Sequence, residues 1–204
     1  MALLDEKDLA RIAAAVKRVE ENTAGEIVVV VEPQCDTYGT WRALGAALFT
    51  LAVSLGVHLF IPGVPEGSVL AAQLPLGLFA WWLCGLPRVL IRLAPQAAEM
   101  AAVDRQAKLA FLENGVHRTR DRSGILVFIA EAERRVEILA DEGIHQRMGE
   151  ATWQQHVDAM IGAIRSGRAA DGICEQVEAM GRVLAQSFPR RPDDTNELPD
   201  TVRH

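Results

Sequence analysis

The stretch Gly56–Leu74, "GVHLFIPGVPEGSVLAAQL", holds one charged residue, Glu66, in a proline- and glycine-rich turn between two apolar runs. Outward from it, Ala43 to Pro65 and Gly67 to Pro87 contain no Asp, Glu, Lys or Arg, whereas the rest of the chain is dense in them. About 20 apolar helical residues span roughly 30 Å of hydrocarbon, so each run is long enough to cross a bilayer. The soluble alternative would bury two such helices on every face, which the remaining residues of a 204-residue chain are too few to do. The expectation is a two-helix transmembrane hairpin over residues 43–93.

The flanks set its orientation. Arg42 precedes the first run and Arg88 and Arg92 follow the second, while the loop "PGVPEGS" has no basic residue. Lys and Arg near membrane helices favour the cytoplasmic side, so both termini are expected there, with Glu66 on the far side. Tyr38, Trp41, Trp81 and Trp82 cluster at the arginine end, as an aromatic belt at one interface would. His58 and Gln73 lie near the loop and read as interfacial. Pro75 is expected to kink the second helix.

Net charge is −6 and the basic residues are interspersed with acids, which removes nucleic acid as an expected partner. Cys35, Cys84 and Cys174 form no Cys-x-x-Cys pair and no even-numbered framework, as suits a reducing compartment. The start, "MALLDEKDLARIAAAVKRVEENTAG", lacks the pattern of a secretory signal and reads as an amphipathic helix with Leu9, Ile12, Val16 and Val19 on one face.

"EIVVVVE" and "GILVFIAE" read as strands buried on both faces, and "VEILADE" as a half-exposed strand with Val136, Ile138 and Ala140 on one side. Pro95 to Glu113 is helical in composition, with a glycine stop in "ENG". "EATWQQHVDAMIGAIRSG" and "AADGICEQVEAMGRVLAQSF" are amphipathic helices, and residues 189–204 read as a flexible, proline-rich tail. A lone valine strand cannot form a sheet, so the simplest organisation is one α/β domain split by the hairpin: a small mixed sheet with strands from both sides of the insertion.

The order helix, valine strand, helix, "TRDRSGILVFIAEAERRVEILADEGI", two helices and "FP" resembles the TPM-domain family, over about residues 3–41 and 97–188. Thr119 to Ile144 is the most specific part. The resemblance implies an α/β sandwich with helices on both faces of the sheet. It also implies two functional expectations: some plant members are described as acid phosphatases, and bacterial members often accompany membrane proteins of the LemA type. Members commonly carry an export signal and a single anchor, from which this chain departs.

Catalytic signals are sparse. Cys35 and Arg42 are separated by six residues, not the five of a cysteine-phosphatase loop, and there is no Walker loop, His-Glu-x-x-His or Gly-x-Ser-x-Gly. The remaining candidates are Asp121 before the central strand, with Glu137, Asp141, Glu142 and His145 around the next. Carboxylates at strand ends suit a hard divalent cation, and Asp121 and Asp141 are its candidate ligands. Two readings follow. In the first, no cofactor is required and the chain is an interaction or accessory module on the cytoplasmic side of a bacterial inner membrane, partnered by the lipid bilayer and by a LemA-type membrane protein or itself. The alternative is a metal-assisted phosphatase.

Overall fold

The structure, a computed structural model, describes residues 3–148, 151–191, 197, 198 and 202. It divides into two compact units, Met1–Cys35 with Ala101–His204, and Asp36–Met100.

In the first unit, α1 (Glu6–Glu20) starts where Asp5 accepts the Asp8 N–H at 2.8 Å and Asp8 accepts the Asp5 N–H at 3.2 Å. This reciprocal cap satisfies two of the orphaned first-turn donors. β1 (Glu26–Glu32), β2 (Gly124–Ala130) and β3 (Arg135–Ala140) form a sheet in the order β1-β2-β3. β1 and β2 are parallel, with Val29 opposite Val127, and β2 and β3 are antiparallel, with Val127 opposite Ile138. A parallel pair needs a crossover, and the long connection between β1 and β2 is where the apolar segment is inserted.

Alternation divides the strands between two faces. Ile27, Val29, Val31, Ile125, Val127, Ile129 and Val136 point into a core closed by α1, α7 (Ala151–Arg165) and α8 (Ala169–Ser187). On this face α8 packs against both α1 and α7, so the helix order is α1-α8-α7, with α1 over β1 and α7 over β3. Val28, Val30, Leu126 and Phe128 are buried on the other face, towards the small side of α5 (Gln96–Glu113) that carries Ala107 and Ala110. The fold is therefore a small mixed sheet with helices on both faces. The stop at "ENG" is real: Gly115 has φ +68°, and a 3₁₀ turn follows over Val116–Arg118.

The second unit holds α2 (Gly39–Phe60), α3 (Glu66–Cys84) and α4 (Pro87–Leu93). Both long helices are long and apolar enough to cross a membrane. Only 6% and 11% of their most apolar windows are buried, so they are not core helices. Their limits differ from the uncharged runs for local reasons. α2 begins at Gly39 because polar Thr40 and Arg42 continue the same helix, and it stops at Phe60 because Pro62 and Pro65 lack the N–H to extend it. α3 ends at Cys84, and Pro87 occupies the first turn of α4, where its missing donor costs nothing.

One expectation is corrected. Tyr38 is not an exposed belt residue: it is 4% exposed, has φ 47°, and its N–H is held by Asp36 at 3.1 Å. Glu142 and His145 follow β3 on a short helix, α6 (Glu142–Met148). The tail falls mostly outside the described residues. Within them, Pro189 forms an isolated β-bridge with Thr23 and the Glu197 N–H donates to Glu26 at 3.1 Å.

Candidate functional site

The five acidic and histidine candidates go to different places. Asp121 sits in the turn before β2, 3.1 Å from Arg191. Asp141 lies between β3 and α6: its N–H donates to Gly124 at 2.9 Å, its carbonyl accepts from Ile144 and His145, and its Oδ1 accepts from Glu142 at 2.8 Å. Its Oδ2 lies 3.6 Å from Arg122. The two turns touch through backbone, because Gly143 leaves no room for a side chain against the carbonyls of Asp121 and Arg122. Glu142 is exposed and accepts from Gln146 at 3.1 Å. His145 is exposed on the same helix.

Glu137 projects to the other face of the sheet, where Asp104 of α5 lies. Burial first, and the Asp104 carboxylate second, hold its pKa above the usual value. Asp104 is itself 2.7 Å from Lys108. Among the described residues no three His, Cys, Asp or Glu side chains converge as a metal site would require. Asp121 and Asp141 each lie beside an arginine, Arg191 and Arg122 respectively. Cys35 is buried, and burial, reinforced by Glu133, pushes its thiol up to about 12. A thiol held protonated is a poor nucleophile. Burial also raises the Cys174 thiol.

The interface candidates fare differently. Arg42 donates to the Trp81 carbonyl at 3.0 Å and lies 4.4 Å from the centre of its indole, a cation–π contact that ties α2 to the end of α3. Trp82 is exposed and tilts against Phe79. Trp41 is half-buried and Arg92 exposed, while the Arg88 side chain lies outside the described residues. The small residues Ala46, Ala80 and Cys84 meet between the helices, and Leu48, Leu51, Leu55, Leu70, Leu74 and Leu78 face outward.

Two features escaped the sequence. Buried carboxylates fasten the ends of β1: Glu20 accepts from Ile27 at 3.0 Å and Glu133 from Cys35 at 3.1 Å. The second is a groove of about 650 Å³ along the free edge of β3, bordered by His145, Trp153, Gln154 and Val157. Trp153 had been legible only as an apolar helix position. Its side chain is 4% exposed, and its indole N–H has no acceptor among the described residues.

Residues 89–183 match the family described as TPM domain, TPM_phosphatase. The match takes in α5, β2, β3 and most of α8, and leaves out the α1–β1 unit that the sequence resemblance included. The NMR structure of BA42 protein from the psychrophilic bacterium Bizionia argentinensis shares the fold, with a TM-score of 0.60 and 19% identity over 98% of this chain and 94% of that one. No curated protein matches the chain.

Proposed function

We propose, from the premise that residues 89–183 form a TPM domain, that this is a membrane-anchored accessory module whose α/β unit binds other proteins on the cytoplasmic side. The observation that carries this is the inverted packing of α2 and α3. Small side chains lie between the helices while Leu74 is 74% and Phe60 82% exposed, an arrangement suited to lipid and not to water. The arginine and tryptophan end of the hairpin supports a cytoplasmic location for both termini. The partner is a membrane protein of the LemA type or a second copy, and the chemistry needs no cofactor.

Topology is tested with a membrane-impermeant thiol reagent on intact cells, using a chain without native cysteines. Ser68→Cys in the loop region should react and Glu175→Cys in α8 should not; both positions are exposed. Labelling of Glu175→Cys would reverse the assignment. Release of the chain by carbonate would remove the anchor. Gentle detergent extraction followed by co-purification tests the module reading, which a consistently solitary chain would refute. The metal-assisted phosphatase remains the competing reading, favoured by the name of the matching family. It predicts phosphate release with a divalent metal that falls at least about tenfold in Asp121→Ala or Asp141→Ala.

A further inference from the structure

The two layers of the α/β unit do not match in width. Neighbouring strands lie about 4.8 Å apart and packed helices about 8–10 Å apart. Three helices in the order α1-α8-α7 therefore extend further than three strands do, and α7 overhangs the β3 edge. The groove of about 650 Å³ lies in that overhang, where a fourth strand would lie.

The register fixes what the edge offers. The Asp141 N–H bonds to the Gly124 carbonyl, opposite it across the ladder, so Asp141, Leu139, Glu137 and Arg135 turn their backbone groups towards β2. Val136, Ile138 and Ala140 then present theirs to the groove. On β1 the corresponding edge is partly closed, because Glu20 accepts the Ile27 N–H. The β3 edge receives no equivalent side chain in the contacts of the described residues.

The geometry points to this groove as a strand-addition site for an extended segment of a partner polypeptide, hydrogen-bonded antiparallel to β3 beneath α7. Two further observations define that segment. Trp153 is buried in the groove wall, its N–H without an acceptor among the described residues, and gives that wall an apolar surface for an incoming side chain. Charge differs between the ends of the slot: Arg134 is exposed at the start of β3 and Glu142 just past its end. The complementary segment carries a base near Glu142, apolar residues opposite Val136, Ile138 and Ala140, and an acid near Arg134.

This deepens the accessory-module reading and rests on it for biological meaning. The probe is the capped peptide Lys-Val-Thr-Val-Thr-Val-Glu, added to the full chain in detergent, with hydrogen exchange as the readout. The Val136, Ile138 and Ala140 amides should exchange fast alone and gain protection with peptide, while Glu137 and Leu139 stay protected throughout. N-methylation of the valine amides should weaken binding about tenfold or more, and N-methylation of the threonine amides should leave it nearly unchanged. Arg134→Glu should weaken binding of this peptide and favour one ending in lysine.

Three results would overturn the site: no protection at millimolar peptide, equal sensitivity to both methylation patterns, or protection of the three amides before peptide is added. Co-purification of a membrane partner together with an unresponsive groove refutes the slot and leaves the module intact. Peptide binding by a chain that carbonate strips from the membrane does the reverse.

Discussion

The α/β unit and the apolar hairpin follow opposite packing rules within one chain. In the former, Phe128, Ile12 and Met160 are fully buried and charged residues such as Arg11 and Arg18 lie outside. In the latter, Ala46 and Ala80 are inside and the leucines outside. Water penalises exposed apolar area at about 25 cal/mol per Å², a penalty that vanishes in lipid, where close contact between small residues holds helices together. The same side chain should therefore matter in one unit and not in the other.

The largest expected contrast uses phenylalanine. Phe128→Ala should destabilise the α/β unit by about 3–5 kcal/mol, since the cavity cannot collapse between β2 and α5. Phe60→Ala should shift the same unfolding midpoint by less than about 0.5 kcal/mol. Denaturant melts in detergent, followed by a signal from the α/β unit, measure both. Equal effects would mean that the hairpin is part of one packed core.

Charge makes the converse test. Leu74→Asp, near the middle of α3, should cost insertion about 2.5–3.5 kcal/mol and shift protein into the carbonate-soluble fraction. Leu112→Asp, equally apolar and 57% exposed on α5, should leave that fraction unchanged. A smaller effect probes the seam between the two behaviours. Glu133→Ala removes the acceptor of the Cys35 N–H just before the hairpin departs and should cost about 1–3 kcal/mol. Cys35 should then also react faster with thiol reagents, because Glu133 is one of the two main causes of its raised pKa.

Periodicity and charge made most of this fold legible. The valine run, the "GILVFIA" strand, the α7 and α8 faces and the apolar hairpin all follow from local pattern, which is set by what each face touches. The site was less legible because it depends on register. Asp121 and Asp141 sit in neighbouring turns, but which oxygen meets which cation depends on Arg122 and Arg191, and the position of Arg191 follows from how the chain leaves α8. Glu137 and Asp141 share one parity of β3 but lie four residues apart along it, so Glu137 meets Asp104 of α5 while Asp141 lies beside Arg122. The groove is harder still to read from sequence, since it comes from a mismatch in width between two layers that each look regular.

Glu137 gives the smallest effect and the finest comparison, between the exposed edge of β3 and its buried face. Its pKa is raised from 4.5 by burial and by Asp104, so between the unfolded and folded values the native state binds more protons than the unfolded state. Stability linked to this group therefore falls as pH rises through that interval, and above the folded pKa the whole penalty is present. Glu137→Gln keeps the shape and removes the titration. It should raise stability modestly at neutral pH and flatten the decline above pH 4.5, as measured by denaturant midpoints across a pH series. Lys108→Met should act in the opposite sense, because the ammonium that steadies Asp104 also lowers the Glu137 pKa. A Glu137→Gln profile parallel to the parent profile would mean that the carboxylate is solvated, and that the α5 side of β3 is as open as its edge.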